Sequence, residues 1–576
     1  MAERTDTMDQ DVRTVLRQRF GRRAVIRGGV LGGVGLATAA VIGCGDDDDD
    51  EPAAAAPAAP AAPAATQAAA ATATATAAPA ATADPTAAAA AATAAPAPPA
   101  KTAHLKIASG GHSPNLDPDS TAATSFNFWA VFDTLTRLTP EAEVVPHMAT
   151  SWEYDASSGD WIFTLQEAEW SDGVKFTAAD VKFSHDYYSD PANESRLISR
   201  VGTYESSRVV DDQTVAISTA GTGDPILPRR STFVLFKPKH IFDDASKGRD
   251  FQAETPVGTG AYTIDEWVRD SRIEMVASPS SWFGNRGIVS VTDYAIGERT
   301  TRTAALETND VEWADSPGIQ DTERVRGFGA QVGNPQSDSQ QGWDIRYFDG
   351  PTADPRVRLA VNHAIDVQAQ VDVIFLGFSR PMRGQLLSLA TFGHNPNLES
   401  YGYDPDKARQ LLADAGFPNG FDAVVEFRQN DAEQRAFSES FIGDVNEVGI
   451  NTENIPVETN VWRDGLYGNK ERATFHWSPW SAFAYEASFA MQWYTKDNRG
   501  KFYDNAAFEA AYDAALLEFD DEARRRHYWD ATVAMNADTP AAWVLENVRL
   551  MAWYEDKLVY SPRRNPTILF DSVEPV

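Results

Sequence analysis

The sequence is poor in the residues on which covalent cross-links and most catalytic or metal sites depend. It contains one cysteine, Cys44, and nine histidines among 576 residues. A single thiol forms no internal disulfide, so the fold has to be held together by packing. The histidines are scattered, and the patterns H-E-x-x-H and G-x-S-x-G are absent. These absences argue against a zinc peptidase and a serine hydrolase, and we expect no enzyme activity, cofactor or metal site.

Positive charge is also scarce. Aspartate and glutamate number 83 against 50 lysines and arginines, which gives a formal net charge of -33. A strongly acidic surface repels phosphate groups, so the composition argues against binding to nucleic acid and against direct adsorption to anionic lipid. Long apolar runs are missing as well, since no stretch after residue 100 approaches the about 20 apolar residues of a transmembrane helix.

Residues 1–44 have the layout of an export signal. Arg22 and Arg23 precede the uncharged residues 28–43, and Cys44 follows directly. A charged start, a short apolar stretch and a lone cysteine are typical of a lipoprotein signal, and the paired arginines favour the twin-arginine route. The stretch is too short and too rich in glycine for a transmembrane anchor. We expect a lipid on Cys44 that holds the protein in the periplasm or at the outer face of the cytoplasmic membrane.

A low-complexity segment follows the cysteine. Residues 46–51 are all acidic, and residues 52–100 contain only Ala, Pro and Thr apart from Gln67 and Asp84. Such a segment has no large apolar side chains to bury, and its recurrent prolines break helices. We therefore predict a disordered linker over residues 45–103, which tethers a globular part to the membrane.

The globular part mixes two kinds of hydrophobic pattern. Residues 104–108 and 161–165 alternate apolar and polar positions in the manner of strands. Thr177 followed by Asp180 predicts a capping box at the start of a helix. Further helices are predicted at residues 405–416, 508–519 and 524–535. The mixture favours an α/β or mixed α+β fold with several lobes.

A series of short motifs runs in order along most of the globular part. Each motif is weak alone, and their order over this length argues against chance. The motifs are Leu116-Asp117-Pro118, VFDTL at 131–135, PHMATSWE at 146–153, WIFTL at 161–165, WSDG at 170–173, TAADV at 177–181, PVGTGAY at 256–262, DPRVRLA at 354–360 with AID at 364–366, YDPDKA at 403–408 and LLADAG at 411–416. In this series the chain resembles the family 5 solute-binding proteins of ABC transporters, whose members include peptide-, dipeptide- and nickel-binding proteins.

Most of these motifs also have a structural explanation. Residues 257–260 lack the lysine of a phosphate-binding loop and the third glycine of a dinucleotide turn, so we interpret them as a tight turn into a strand. Asp172-Gly173 has the composition of a turn. Arg356, Arg358 and Asp366 are expected to orient a helix. The motifs therefore identify a scaffold and leave the ligand pocket open.

The resemblance implies a periplasmic-binding-protein-like type II fold, in which two lobes close on a ligand and the first lobe carries an extra inserted domain. Lobe I would comprise residues 104–134, 255–350 and 541–576, the inserted domain residues 135–254, and lobe II residues 351–540. Crossing segments between the lobes are expected at residues 342–348 and 540–545. These segments would absorb a hinge motion on closure.

The resemblance also implies a function. A protein of this kind captures a solute, here a peptide or a related small molecule, and delivers it to the permease subunits of an ABC importer. We expect it to act as a monomer. Two alternatives stay open: a receptor for sugars or oligosaccharides on the same scaffold, and a sensory receptor that does not transport. Nickel or haem is a further possible ligand, to which His476 gives slight support.

The resemblance places the ligand pocket near residues 475–480. Peptide-binding relatives carry a W-x-x-D motif, whose acid holds the N-terminal ammonium of the peptide. Here Trp477 falls on the family tryptophan and Trp480 falls on the acid. The missing carboxylate favours a ligand without a primary amine, or one bound by stacking. Glu486 is the nearest acid downstream.

The candidate ligand-binding residues come from that stretch and from the aromatic residues around it. Arg463 and Arg346 are candidates to grip a carboxylate on the ligand, and Phe126 with Asn127 would form the opposite wall. The full set is Trp477, Trp480, Ser478, Phe483, Tyr485, Trp462, Arg463, Arg346, Phe126 and Asn127. Ordinary burial in a core is the alternative for half or more of the aromatic residues.

Overall fold

The structure is a computed structural model, and its described part begins at residue 101. It covers residues 101–121, 126–221, 223–244, 246–284, 286–382, 384–428, 432–459, 461–462, 465, 473–498, 503–564 and 568–576. Cys44, the predicted export signal and the predicted linker up to residue 100 lie outside the described residues. Within the described ranges, no helix combines the length and the apolar content that a membrane crossing requires.

Strands and helices alternate irregularly along the chain. The described strands are β1 Ala103–Ser109, β2 Thr136–Leu138, β3 Val144–Pro146, β4 Ala149–Asp155, β5 Asp160–Leu165, β6 Ala168–Glu169, β7 Lys175–Phe176, β8 Tyr204–Asp211, β9 Thr214–Thr219, β10 Tyr262–Val268, β11 Arg272–Ala277, β12 Ile288–Ala295, β13 Trp313–Asp315, β14 Gln331–Gly333, β15 Gln340–Ile345, β16 Phe421–Arg428, β17 Ile450–Val457, β18 Phe475–Ser478, β19 Ala541–Glu546, β20 Met551–Trp553, β21 Leu558–Val559 and β22 Glu574–Pro575. The described α-helices are Phe126–Val131, Ala178–Ser189, Ile198–Val201, Leu227–Arg230, Lys239–Asp243, Arg249–Glu254, Arg299–Glu307, Thr322–Gly327, Pro355–Ala364, Val367–Ala369, Pro405–Asp414, Ala432–Glu447, Ala487–Met491, Ala506–Leu517 and Asp521–Asp538.

The first large sheet has seven strands in the order β10-β11-β12-β1-β13-β20-β14. The central strand β1 runs parallel to β12 and β13, and the outer strands pair antiparallel. Both faces of β1 are covered, because Leu105 and Ile107 belong to one hydrophobic cluster and Ala108 to another. A central strand buried on both faces is typical of a parallel arrangement.

The second large sheet has five strands in the order β17-β16-β18-β15-β19. β16 lies parallel to β17 and β18, whereas β15 is antiparallel to β18 and β19. Trp343 on β15 is fully buried and stacks on Phe441 of the helix Ala432–Glu447, with ring centroids 4.3 Å apart. Stacked aromatic pairs of this kind add about 0.5–1.5 kcal/mol beyond their buried area. This helix is thereby fixed on the sheet that carries β18.

The chain passes between the two large sheets twice. It runs from β14 through residues 334–339 into β15, and it returns from β19 through residues 547–550 into β20. The two segments are bonded to each other: the Asn547 amide donates to the Ser339 carbonyl at 2.9 Å, and Gln341 Nε2 donates to Asn547 Oδ1 at 3.2 Å. The crossings therefore lie side by side.

This arrangement differs in detail from the predicted division. The prediction places residues 255–350 and 541–576 in lobe I. However, β15 and β19 belong to the five-stranded sheet, whose other three strands lie in the predicted lobe II. The reason is their pairing, since β15 bonds to β18 on one side and to β19 on the other. The crossings at 334–339 and 547–550 accordingly fall just outside the predicted segments 342–348 and 540–545.

The third sheet has four antiparallel strands in the order β4-β5-β9-β8. Its core includes the fully buried Phe163 and Trp170. The adjacent helix Ala178–Ser189 begins as predicted, because the Thr177 side chain accepts from the Ala179 amide and the Asp180 carboxylate accepts from the Thr177 amide at 2.9 Å. Residues 135–254, which contain this sheet, are called the insert below.

Two of the sequence motifs hold neighbouring segments of the chain together, and the first of them contacts the insert. Asp117, in the Leu-Asp-Pro motif, accepts a hydrogen bond from Lys237 Nζ at 2.8 Å, and both side chains are only 1% exposed. In the second motif, a Cβ atom on Gly258 would lie 1.9 Å from the Val131 carbonyl oxygen. The glycine is required because two backbone segments approach each other closely, and this explains the motif better than turn geometry alone.

The other predicted elements are confirmed with shifts of a few residues. The strand predicted at 104–108 is β1, and the helix predicted at 405–416 spans Pro405–Asp414, where the Asp404 side chain accepts from the Lys407 amide at 2.9 Å. The helix predicted at 508–519 starts earlier, at Ala506, because Asn505 caps it. The helix predicted at 524–535 is extended on both sides to Asp521–Asp538.

Candidate functional site

Trp477 and Trp462 form one cluster at the end of β18. Trp477 is 3% exposed, and its carbonyl accepts from Trp462 Nε1 at 2.9 Å. The Arg428 guanidinium lies 4.7 Å from the Trp477 ring centroid and 5.5 Å from that of Trp462. Such contacts stabilise by about 0.5–2 kcal/mol and fix the ring orientation. Trp477 Nε1 and the neighbouring Ser478 hydroxyl are buried and have no hydrogen-bond partner among the described residues.

Trp480 belongs to the same hydrophobic core as Trp477, but its ring has other partners. Its ring stacks on Trp493 with centroids 4.9 Å apart, and its Nε1 donates to Asp344 Oδ1 at 3.4 Å. The Tyr494 hydroxyl donates to the same oxygen at 2.6 Å and accepts from Trp543 Nε1 at 3.1 Å. The residue that replaces the family acid is therefore tied to a buried carboxylate on the adjacent strand β15.

The loop that follows contains Phe483 and Tyr485 in a strained backbone. Ala484 and Tyr485 have φ of 58° and 59°, which places two consecutive non-glycine residues in the left-handed region. The Tyr485 hydroxyl donates to the Gln336 carbonyl at 3.1 Å, so the loop contacts the first crossing segment. Each left-handed residue costs about 1–2 kcal/mol, and such a conformation persists only when its surroundings hold it.

Glu486 is the most deeply buried acid of this loop. It is 0% exposed, and neither carboxylate oxygen has a hydrogen-bond partner among the described residues. Burial raises the pKa of Glu486, and the positive charges of Arg524, Arg229 and Arg230 act in the opposite direction. Two of these three arginines, Arg229 and Arg230, come from the insert.

Arg229 connects the insert to this loop directly. Its Nη1 donates to the Ala142 carbonyl at 2.9 Å and to the Ala484 carbonyl at 2.7 Å. Burial lowers the pKa of Arg229, because the guanidinium lies largely out of water. Sequence reasoning missed this residue. The signal that could have found it is the pair Arg229-Arg230 inside an otherwise apolar stretch, which predicts arginines that enter a core.

The remaining candidate residues are distributed over other surroundings. Phe126 meets Trp313 edge-on at 5.6 Å in the core of the first sheet, and Asn127 is buried with its Oδ1 unpartnered among the described residues. Arg346 lies at the surface, and its guanidinium is paired with Asp349. Arg463 and Cys44 lie outside the described residues.

A small cavity is lined by residues of the insert, of the segment before it and of the C-terminal stretch. Its lining residues are Trp129, Phe132, Asp133, Thr134, Arg137, Leu138, His147, Thr232, Arg563 and Leu569. His147 Nε2 and Asp133 Oδ1 lie 2.7 Å apart, and Arg137 Nη1 donates to Asp571 Oδ2 at 2.7 Å. These charged groups are paired with one another. The cavity therefore belongs to the joint between the insert and the first sheet.

The described residues suit a ligand that is bound by aromatic rings and hydrogen-bond donors. Aromatic rings, arginines and buried donors converge on the segment that follows β18, whereas no group of three or more His, Cys, Asp and Glu side chains in the described ranges is arranged to hold a metal ion. The two large sheets are joined by adjacent crossings, and the segment after β18 contacts the insert. This arrangement defines a two-lobed binding protein with an extra domain.

The chain belongs to the bacterial extracellular solute-binding proteins of family 5. The model of the middle region of that family matches residues 143–502. The resemblance inferred from the sequence motifs is thereby confirmed, as is the two-lobed α/β fold with its insert.

Relatives of this chain have diverse names. It is 25% identical over 441 residues to haem-binding protein A of Haemophilus influenzae, covering 70% of this chain and 78% of the relative. It is 26% identical over 485 residues to the glutathione-binding protein GsiB of Pectobacterium atrosepticum, covering 78% and 90%. Among solved structures, the ABC transporter-associated periplasmic binding protein DppA of Helicobacter pylori, in complex with the peptide STSA, superposes with a TM-score of 0.73 at 22% identity, covering 82% and 98%. At this level of identity, the similarity to DppA shows a shared fold.

Proposed function

We propose that this protein captures a solute between its two lobes and delivers it to the permease subunits of an ABC importer. The observation that carries the proposal is the pair of adjacent crossings at residues 334–339 and 547–550, beside which Tyr485 and its loop are bonded. Two segments bonded side by side form a hinge, and a hinge beside a cluster of buried donors suits a ligand that favours the closed arrangement.

The chemistry around Trp480 supports a ligand other than a free peptide bound by its ammonium group. The position of the family acid holds an indole, and the nearest carboxylate, Asp344, already accepts from Trp480 and Tyr494. The buried Trp477 Nε1 and Ser478 hydroxyl are donors, so they suit acceptor groups such as carbonyls or carboxylates on the ligand. We infer a peptide-like or related small molecule that is blocked at, or lacks, a primary amine.

Native mass spectrometry on residues 101–576, purified without refolding, tests the binding function. A discrete small molecule that is released on denaturation supports a solute receptor and reveals the ligand class. If no small molecule is released, the next step is a thermal-shift screen with dipeptides, N-acetylated dipeptides, oligosaccharides and metal chelates. Micromolar binding of a free dipeptide that N-acetylation abolishes would contradict the ligand class inferred here.

We further propose that the protein acts as a monomer tethered by a lipid on Cys44. The linker would end before residue 103, one residue earlier than predicted, because Ala103 begins strand β1 and pairs with Ile288. The lipid tether is supported by the charged, apolar and cysteine-terminated layout of residues 1–44. The expected result is that the full-length chain fractionates with membranes and that Cys44→Ala is released in soluble form. A Cys44→Ala variant that stays in the membrane fraction would contradict the anchor.

A further inference from the structure

We propose that the insert is a latch that holds the second lobe in its ligand-trapping position. The proposal rests on the solute-binding function proposed above, and it assigns the insert a role in setting how tightly any ligand is held. The latch consists of two contact patches, one on the loop after β18 and one on the loop between the helices Ala506–Leu517 and Asp521–Asp538.

The polar part of the first patch is the bridge made by Arg229. One guanidinium nitrogen donates to a carbonyl of the insert, at Ala142, and to a carbonyl of the second lobe, at Ala484. Hydrogen bonds from a charged donor are stronger than neutral ones. The bridge can exist only while the insert and the loop are in contact, so it stabilises that arrangement alone.

The aromatic part of the first patch surrounds this bridge. The Arg200 guanidinium lies 3.6 Å from the Phe483 ring centroid, and Arg230 lies 4.7 Å from that of Phe489. Burial lowers the pKa of Arg200 to about 10, which agrees with a guanidinium covered by rings. Cation–π contacts gain strength when they are removed from water, so closure strengthens them.

The insert prepares its arginines before any contact with the second lobe. Arg230 Nε donates to Asp224 Oδ2 at 2.7 Å, and both residues belong to the insert. The same Asp224 accepts from the Ile226 amide at 3.0 Å and so fixes the start of the helix that carries Arg229 and Arg230. A positioned arginine loses less side-chain entropy on contact than a free one.

The second patch lies on the four-stranded sheet of the insert. Phe519, which is 40% exposed, sits against Tyr154 with centroids 4.5 Å apart and stacks on Trp161 at 6.2 Å. Phe519 comes from the second lobe, whereas both partners lie on strands β4 and β5. Two separate patches oppose rotation of one body against the other better than a single patch does.

A latch needs a released state as well as an engaged one, and the backbone of the loop after β18 can provide it. Ala484 and Tyr485 are left-handed, and the Arg229 bond to the Ala484 carbonyl is one of the contacts that hold them there. When the contact breaks, the loop is free to relax to ordinary backbone angles. The strain therefore opposes the latch contacts, and the balance sets the share of molecules in which the latch is engaged.

The test measures the distance between the insert and the second lobe in the absence of ligand. Because Cys44 lies outside residues 101–576, the shorter chain has no native thiol, and Val210→Cys with Asp406→Cys supply one spin label on each side. Arg229→Met keeps length and apolar stem but removes the donors. Phe519→Ser removes the second patch at a partly exposed position. Arg208→Ala is the matched control, since Arg208 is an insert arginine with a side chain 62% exposed.

We expect the short-distance population to fall in Arg229→Met and in Phe519→Ser, with a change of about tenfold in the ratio of engaged to open molecules for the loss of the Arg229 bridge. Arg208→Ala should match the parent. Far-ultraviolet circular dichroism checks that each variant is folded, and Phe519→Ser keeps the test valid if Arg229→Met does not fold. Distances that stay unchanged in both variants overturn the latch. That outcome leaves the native mass experiment, and hence the solute-binding function, untouched.

Discussion

Trp480 and Phe483 lie close together in the chain, in a stretch where aromatic residues are dense, and their rings have different kinds of partners. Trp480 stacks on Trp493 and bonds to Asp344, and both of these partners belong to the five-stranded sheet and its loops. Phe483 lies under Arg200 of the insert and stays partly exposed. The comparison teaches that one run of aromatic residues can supply both core residues and residues of a contact surface. Only the groups that each ring packs against show which role it has.

The largest effect that distinguishes the two regions is expected from Trp480→Ala. Removal of a buried indole leaves a cavity and breaks the bond to Asp344, which destabilises by about 3–5 kcal/mol. Urea unfolding of residues 101–576 measures it. Phe483→Ala is the matched variant and should cost about 1–2 kcal/mol, because its ring is only partly buried. Equal losses for both variants would remove the distinction between core and contact surface.

A pH effect of intermediate size is expected from Asp338, in the first crossing segment. Burial raises the pKa of its carboxyl to about 6 from the ordinary 3.8, while the Ser481 hydroxyl, Arg549 and Arg200 act in the opposite direction. The stability that the protonated form contributes is complete below pH 3.8 and is lost as the pH rises through about 6. Asp338→Asn should therefore be more stable than the parent at pH 7.5, by about 1–2 kcal/mol after allowance for partial exposure.

Thermal unfolding between pH 4 and 8 checks this prediction. Asp250→Asn, the same substitution at an exposed position, provides the control. The difference between Asp338→Asn and the parent should shrink as the pH falls below about 6. A constant difference across the whole range would show that the substitution acts through packing and that titration of the crossing segment has no part in stability.

The smallest effect concerns the strained loop. Ala484 has a φ of 58°, which glycine adopts without penalty, so Ala484→Gly should relieve about 1 kcal/mol of strain in the folded state. The gain is reduced because glycine raises the entropy of the unfolded chain. Urea unfolding measures the net change, and Ala482→Gly, in the same loop but with a negative φ of -88°, should destabilise instead. The same sign for both variants would argue against strain at residue 484.

Sequence reasoning predicted the scaffold well and the site poorly, for physical reasons. Local signals such as Thr177 with Asp180, or Asp404 before Pro405, act between neighbours in the chain, so they can be recognised without knowledge of the fold. The family resemblance supplied the two-lobed architecture. By contrast, the bond from Arg229 to Ala484 joins residues that only the packed structure brings together. Periodicity contains no information about such contacts.

The candidate residues show the same limit. Trp477 and Trp480 are near neighbours in sequence and share one hydrophobic core, yet their rings meet different partners, Trp462 for Trp477 and Trp493 for Trp480. Arg346 has the right chemistry for a carboxylate, but Asp349 pairs with it locally. Asp344 was missed because the role of a single acid in a buried strand is recognisable only once Tyr494 and Trp480 are seen around it.

The bond between the two crossing segments has a mechanical consequence. Asn547 and Ser339 are hydrogen-bonded, and β15 and β19 are paired directly beyond them. The two connecting segments therefore move together, as a two-stranded ribbon does. A ribbon bends readily across its flat face and resists twisting and sideways shear. If a ligand draws the two bodies together as proposed, we expect the ribbon to restrict them to a path of nearly one dimension, with the size of the ligand fixing where they stop.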